Sequence, residues 1–157
     1  MNMEALVGPE DRESLRRVSG VFADARQLDQ YLYDCWERIG QVLLWLHELE
    51  GHGARDVLEL GANPYCLTLL ARRLLQVRLT LANYFGDPAQ TQGEQLIETP
   101  AGPVRLPYDH FNVETAVFPY AARAFDVIAP SIASACPTIY FVAAWIDTST
   151  PCSNGLK

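Results

Sequence analysis

The stretch VLELGANPYCLTLLA at residues 57–71 decides the fold that we expect. An apolar run typical of a strand ends at Gly61, the chain turns through Asn63 and Pro64, and a second apolar run follows with helical spacing. We therefore predict a strand over residues 56–60 and a helix over residues 66–75. A second apolar run, VRLTLA at 77–82, predicts another strand, so this part of the chain has the order of a parallel βαβ unit.

The loop between this strand and this helix is poor in glycine. A loop that cradles a pyrophosphate needs small residues, because its backbone N–H groups touch the phosphates and its helix packs close to the strand. Only Gly61 meets that need, since Asn63 and Tyr65 are bulky and Pro64 has no N–H to donate. The loop therefore disfavours a phosphate-rich ligand, and it is compatible with a phosphate-free nucleoside or with no ligand.

Glu59 is the one charged residue at the end of the first strand. A carboxylate in an apolar run costs desolvation energy unless a partner compensates it. Beside a pyrophosphate it is repelled, whereas beside an ammonium or sulfonium group it is favourable. The alternative is that Glu59 caps the following turn or faces water.

The rest of the chain adds predicted elements on both sides of this unit. Apolar residues at three- and four-residue steps predict one long helix or two shorter ones over residues 22–50, ended by the glycines of GHG at 51–53. The turn signal TPAG predicts a hairpin over residues 95–105. We further predict a third strand at 109–114, a loop at 118–128 that runs into a fourth strand, and a buried strand at 138–146.

Three blocks of this chain, taken in order, resemble the class I S-adenosylmethionine-dependent methyltransferases. VLELGANPY resembles the first motif of that family, LTLANYFG at 79–86 its second strand, and FNVETAVFPYAARAFDVI at 111–128 its later block that leads into strand four. The resemblance implies a Rossmann-like α/β fold with a mostly parallel sheet and flanking helices. It also implies S-adenosyl-L-methionine as a small-molecule cofactor and methyl transfer to an acceptor that the sequence does not identify.

The same resemblance implies roles for individual residues at the ends of the strands. Glu59 stands at the family's acid near the methionine end of the cofactor, and Asn83 stands where the family has an acid that holds the ribose hydroxyls. Asn112 replaces an acid near the adenine, and the change from acid to amide at Asn83 and Asn112 weakens cofactor affinity by roughly tenfold. The residues that the resemblance implies for cofactor binding are Glu59, Gly61, Ala62, Asn63, Asn83, Tyr84, Asn112 and Val113.

Composition limits the partners of the chain. Its 157 residues suffice for one domain with a core, and 49% of them are apolar. The net charge of −7 argues against a nucleic-acid surface, which needs clustered Lys and Arg. Four cysteines without metal-ligand spacing argue against a zinc site, and a charged N-terminus without an apolar core predicts a cytoplasmic, reduced protein. The uncharged stretch 127–146 contains two prolines, so we expect no membrane span.

After about residue 128 the pattern of the family stops. The last 29 residues hold only two charges and are rich in Ala, Ser, Thr, Pro and Cys. We therefore divide the chain into a lead-in at 1–20, a partial cofactor-binding domain at 21–128 and a divergent tail at 129–157. The expectation is a truncated chain, as a frameshift or altered splice produces, which the other two reading frames of the gene would test.

Two other functions stay open beside the methyltransferase. The first is a non-catalytic remnant or interaction module with a methyltransferase-like fold. The second is a nucleotide-dependent oxidoreductase, which the glycine-poor loop argues against. Because the acceptor half is missing from the family pattern, we assign no catalytic residue.

A few further residues have two interpretations. Cys66 begins the second helix, where the helix dipole lowers a thiol pKa, but we expect a packed, inert thiol. We expect His110 at the surface rather than in a cleft, and Asp126 in a structural role. Tyr31, Tyr33 and Trp36 either cover the cofactor or, as we favour, pack in the core.

Overall fold

The structure is a computed structural model that describes residues 3–113 and 116–130, with the backbone alone at Glu4. Four helices and five strands form an α/β fold. The helices are α1 Met3–Leu6, α2 Pro9–Arg16, α3 Ala25–Gly51 and α4 Cys66–Leu74. The strands are β1 Asp56–Leu60, β2 Arg78–Asn83, β3 Gln92–Thr99, β4 Gly102–His110 and β5 Val127–Pro130.

Helix α3 is continuous, so the single long helix is the correct one of the two predicted alternatives. Asp24 caps its N-terminus by accepting a hydrogen bond from the backbone N–H of Gln27 at 3.0 Å. The chain leaves the helix through Gly53, whose φ of 99° is a conformation that glycine adopts without strain. The buried residues recur along one face of the helix: Leu28, Leu32, Cys35, Ile39, Gly40, Val42, Leu43 and Leu46.

The five strands form one mixed sheet in the order β3-β4-β2-β1-β5. Strand β1 is parallel to both β2 and β5, and β2 is parallel to β4, whereas β3 and β4 form an antiparallel hairpin. The predicted α/β class with a mostly parallel sheet and flanking helices is confirmed. The predicted hairpin is also confirmed, and it is longer than residues 95–105 because all eight residues of β3 pair with β4.

The helices pack on one face of the sheet. Val57 of β1 belongs to the apolar cluster that α3 and α4 complete. Leu81, Ile97 and Leu106 extend the same face toward the hairpin, where they pack with the buried ring of Tyr65. These residues lie on one face of the sheet because side chains alternate between the two faces along a strand, and because paired residues of neighbouring strands point to the same face.

The connection from β4 to β5 leads from one end of the sheet back to the other end. It starts beside the end of β2, where His110 pairs with Asn83, and it ends at the start of β1, where Val127 pairs with Val57. The hydroxyl of Tyr120 anchors it by donating to Asp109 at 2.7 Å. Four of its rings meet edge to face at centroid distances of 4.8–5.9 Å: Phe111, Phe118, Tyr120 and Phe125.

This connection corrects one predicted strand. The predicted third strand over residues 109–114 is wrong for residues 111–113, because β4 already ends at His110 and the backbone N–H of Phe111 donates to the carbonyl of Asn83 at 3.2 Å, whereas residue 114 lies outside the described residues. Phe111, one of the two apolar residues that suggested a strand, belongs instead to the aromatic cluster. The fourth strand is confirmed, and it runs through Pro130, two residues past the predicted end of the cofactor-binding domain at residue 128.

Asp126 has the structural role that we expected. Its carboxylate accepts hydrogen bonds from the backbone N–H groups of Asp56 at 3.0 Å and Arg55 at 2.8 Å. These two bonds lower the pKa of Asp126, and they join the start of β5 to the start of β1. The predicted strand at 138–146 and the tail from residue 131 lie outside the described residues. Within the described ranges, no helix is long and apolar enough to cross a membrane.

Candidate functional site

The order of the strands identifies one edge of the sheet as the place for a ligand. The chain leaves β1 to form β2 on one side and later returns to form β5 on the other side. In open α/β sheets a ligand binds outside the carboxyl ends of the strands, at the point where the strand order reverses. Here that point lies where β1 ends at Leu60 and β5 ends at Pro130, which are paired.

The chain turns at this point with two residues in the left-handed region. Gly61 has a φ of 68°, which explains why a glycine stands there, and Tyr65 has a φ of 66° at the start of α4. The N–H groups of Gly61 and Ala62 both donate to the carbonyl of Ala82, at 2.8 and 3.4 Å. The loop is therefore held against the end of β2.

The remaining N–H groups of the loop are also engaged within the protein. Asn63 donates its backbone N–H to the side-chain oxygen of Asn83 at 2.9 Å, and Tyr65 donates to the carbonyl of Ala62 at 2.5 Å. Pro64 has no N–H. Phosphate-binding loops depend on backbone N–H groups that point at the ligand, so this loop offers no such cradle from Gly61 to Tyr65.

Asn83 is the residue that organises this edge. Its side chain is 3% exposed, and both ends of the amide are used. The oxygen accepts from the N–H of Asn63, while the NH₂ donates to the hydroxyl of Tyr65 at 3.0 Å. The structure thus places Asn83 behind the loop, whereas the resemblance to the methyltransferases implied a contact with ribose hydroxyls.

Glu59 also lies behind the loop. The residue is completely buried, so the interpretation that it faces water is wrong. One carboxylate oxygen accepts a hydrogen bond from the hydroxyl of Thr68 at 2.7 Å. Because Thr68 is in the first turn of α4, Glu59 joins the end of β1 to the start of that helix.

The eight residues implied for cofactor binding thus fall into two groups. Three are buried, namely Glu59, Ala62 and Asn83. The other five lie at the same edge with partly or largely exposed side chains or backbone: Gly61, Asn63, Tyr84, Asn112 and Val113. A ligand at this edge meets the second group directly, and the first group supports the loop from behind.

His110 is a functional candidate whose environment the sequence did not reveal. It is 3% exposed, so the expected surface position is wrong. Its Nε2 accepts a hydrogen bond from the backbone N–H of Phe85 at 2.9 Å, and its Nδ1 lies 2.9 Å from the carbonyl oxygen of Gln90. Both partners belong to the segment between β2 and β3, and they lie 25 and 20 residues away from His110 in sequence.

An aromatic rim surrounds His110. The ring centroids of Tyr84 and Phe85 lie 5.2 and 6.1 Å from the imidazole, and Tyr108 lies at 6.4 Å. Tyr84 and Phe85 remain 40% and 53% exposed. The rim is the most aromatic part of the candidate site, and its flat, exposed rings suit a planar ligand.

A shallow depression lies on the helical side of the same edge. Its cavity volume is about 10 Å³, and it is lined by Tyr31, Arg38, Ile39, Val42, Leu67 and Pro130. Ligand pockets usually measure about 300–1,000 Å³, so this one is small. Tyr31 and Trp36 pack against the core as expected, and Tyr31 also lines the depression. Tyr33 is 76% exposed, so the expectation that it packs in the core is wrong.

The thiol of Cys66 is inert, as predicted. It is 3% exposed, and burial raises its pKa to about 12. Desolvation thus outweighs the effect of the helix N-terminus. Among residues 3–113 and 116–130, no group of three or more His, Cys, Asp or Glu residues is arranged to hold a metal ion.

A comparison of the chain with protein-family models, curated proteins and solved structures finds no match. The fold and the candidate site by themselves define the class of protein. It is an α/β protein with a mixed, mostly parallel five-stranded sheet, and the strand order of this sheet reverses beside the turn at Gly61. Such an arrangement is compatible with a Rossmann-like fold.

Proposed function

We propose that this chain carries the cofactor-binding part of an S-adenosylmethionine-dependent methyltransferase, with a class I methyltransferase fold. The observation that carries the proposal is the loop after β1. It stands at the strand reversal, where a nucleoside is expected, yet its N–H groups from Gly61 to Tyr65 are bonded within the protein. That combination favours a nucleoside without phosphates over a dinucleotide.

The exposed residues fit the adenosine part of such a cofactor. Asn63 and Asn112 present polar groups, while Tyr84 and Val113 present an aromatic ring and an apolar side chain. A flat purine and its hydroxyls need both kinds of group. When bound, S-adenosyl-L-methionine supplies the methyl group, and the role of these residues is to hold and orient the nucleoside.

Charge supports the same class of ligand. The chain has a net charge of −7, which disfavours nucleic acid and other polyphosphates as partners. A sulfonium cofactor carries a positive centre and is not repelled by this surface. Because Cys35 and Cys66 are both free thiols, we propose a reducing compartment, the cytoplasm. The methyl acceptor and the catalytic residues remain unassigned.

Isothermal titration calorimetry with S-adenosylhomocysteine tests this function. We expect saturable heat below about 1 mM ligand, which corresponds to roughly 4 kcal/mol of binding free energy. ADP shares the adenosine but carries phosphates, so it should bind at least about tenfold more weakly. A tighter complex with ADP than with S-adenosylhomocysteine would instead favour a nucleotide-dependent enzyme.

A pair of variants in the same connection gives a matched control. Val113 belongs to the implied site and is 48% exposed, whereas Val117 is 92% exposed and outside it. Val113→Asp should weaken binding by roughly tenfold or more, because it places a charge against the purine. Val117→Asp should leave the affinity unchanged, and equal losses in both variants would count against the site.

One observation favours a second candidate, a non-catalytic interaction module with this fold. Both ends of the Asn83 amide form hydrogen bonds with the loop, and the carboxylate of Glu59 accepts a hydrogen bond from Thr68. Two residues with implied cofactor contacts thus form hydrogen bonds within the protein instead. Absence of heat at millimolar S-adenosylhomocysteine, in a sample that is folded, would favour this candidate.

A further inference from the structure

His110 links the end of β4 to the segment that joins β2 to β3. It ends β4, and its backbone N–H donates to the carbonyl of Thr91 at 2.8 Å. Its ring reaches into the segment at 84–90, where Phe85 donates to Nε2 and the carbonyl of Gln90 faces Nδ1, each at 2.9 Å. The imidazole therefore bridges the two ends of this segment.

These two partners determine the state of the imidazole. A carbonyl oxygen only accepts, so the Nδ1 that faces Gln90 must carry a hydrogen. The N–H of Phe85 only donates, so the Nε2 that faces it must be bare. The geometry is satisfied by the neutral imidazole with its proton on Nδ1 and by no other form.

We propose that His110 is a pH-sensitive clamp: the neutral imidazole holds the segment 84–90 against the end of β4, and protonation releases the Phe85 end of that segment. Protonation adds a hydrogen to Nε2, so the ring then has an N–H donor that points at the N–H donor of Phe85, and the hydrogen bond between them is lost. The contact to Gln90 survives protonation, because Nδ1 keeps its hydrogen. The segment then opens from Phe85 and remains tethered at Gln90.

No hydrogen bond of the imidazole goes to a charged side chain among the described residues around it. Tyr84 and Phe85 from the segment and Tyr108 from β4 contact the ring, and Asn83 of β2 pairs with His110 across the sheet. The neighbouring carboxylates have other partners: Asp87 of the segment accepts from the N–H of Ala89, and Asp109 of β4 accepts from Tyr120 and from Gln92 of β3. The observed hydrogen bonds of the ring thus all go to backbone groups.

The exposure of the segment explains why one hydrogen bond matters. Tyr84 and Phe85 are 40% and 53% exposed, so little burial holds them in place. Removal of one hydrogen bond from such a segment raises its opening by up to about tenfold. Because Tyr84 is one of the residues implied for ligand binding, the clamp links pH to the shape of the candidate site. The clamp itself requires no cofactor and does not depend on the proposed function.

Nuclear magnetic resonance of the whole chain with ¹⁵N-labelled histidine tests the clamp. At neutral pH, the His110 ring should be in the Nδ1–H form. When acid protonates the ring, the Phe85 amide should lose up to about tenfold of its protection against hydrogen exchange, after correction for intrinsic rates. This loss should follow the protonation of His110.

Two variants separate the clamp from general effects of pH. In His110→Gln the amide oxygen takes the place of Nε2 without titrating, so the protection of Phe85 should no longer depend on pH. In His52→Gln, which changes an exposed histidine, the protection of the Phe85 amide should depend on pH as it does in the unchanged protein. If His110→Gln does not fold, the titration of the unchanged protein decides alone. An Nε2–H form at neutral pH, or protection of the Phe85 amide that does not change when His110 becomes protonated, would each overturn the proposal.

Discussion

The side-chain oxygen of Asn83 accepts a hydrogen bond from the backbone N–H of Asn63 across 2.9 Å. This bond joins the end of β2 to the loop that follows β1. The NH₂ of the same amide donates to the hydroxyl of Tyr65, so one buried side chain holds two points of the loop. Asn83 therefore sets the shape of the candidate site from behind it.

Replacement of Asn83 by Ala should destabilise the protein by roughly 2 kcal/mol, because it leaves a loop N–H and a buried hydroxyl without their partner. Chemical denaturation measures this difference. The control is Asn63→Ala, which keeps the backbone N–H and changes only an exposed side chain. If Asn83→Ala is as stable as Asn63→Ala, Asn83 does not hold the loop.

The bond between Thr68 and Glu59 supplies a second test of how the edge is supported. Thr68→Val keeps the shape of the side chain but removes the hydroxyl that donates to the buried carboxylate at 2.7 Å. We expect a loss of roughly 2 kcal/mol in the free energy of unfolding, since hydrogen bonds to charged groups contribute about 1.5–3 kcal/mol. Thr68→Ser retains the hydroxyl and should lose less. The reverse order of stability would show that the hydroxyl is unimportant.

Cys66 predicts how stability changes in alkaline solution. Burial raises the pKa of its thiol to about 12, so the folded state favours the neutral thiol. Its contribution to stability is fully present below the ordinary thiol pKa near 9.0 and is lost as the pH rises toward 12. Above pH 9 the unfolding free energy should therefore fall less steeply with pH in Cys66→Ala than in the unchanged protein. Denaturation curves at pH 8 to 10.5 measure both slopes, and identical slopes would contradict this account of the thiol.

Asp126 predicts the opposite dependence in acid. Two backbone N–H groups lower the pKa of its carboxyl, so its contribution to stability is present above the ordinary pKa and is lost as the pH falls. At neutral pH, Asp126→Ala should be less stable by about 1 kcal/mol, whereas Asp126→Asn keeps an oxygen for both N–H groups and should stay close to the unchanged protein. The difference between these variants should persist in acid, where only the unchanged protein also loses the contribution of the Asp126 carboxylate. A stable Asp126→Ala would mean that the junction of β5 with β1 needs no acceptor.

The sequence predicted the parts of the fold that local pattern determines. Residues 56–60 form β1 as predicted, because an apolar run bounded by polar and glycine residues is a strong local signal. The predicted strand at 109–114 failed for the opposite reason. Phe111 is apolar in a strand-like pattern, but its partners are the rings of Phe118 and Tyr120, which the tertiary structure brings together.

The candidate site was predictable in position but not in detail. The turn at Gly61 and the acid at Glu59 are visible as exceptions within an apolar run, and both lie at the expected edge. The hydrogen-bond partners of the Asn83 and His110 side chains lie 18 to 25 residues away in sequence, which no spacing rule encodes. The sequence therefore indicates the edge of the sheet at which the candidate site lies, while the structure shows which residues of that edge are exposed.

The most direct test of the proposed function is to map the backbone amide signals of the ¹⁵N-labelled protein during titration with S-adenosylhomocysteine. The account predicts saturable shifts at the exposed residues of the edge, namely Gly61, Asn63, Tyr84, Asn112 and Val113. It also predicts no shifts in α2, which packs on the helical face through Leu15. A folded protein whose amides at this edge do not shift at millimolar ligand, or whose shifts lie elsewhere, would contradict the claim that this edge binds a phosphate-free nucleoside.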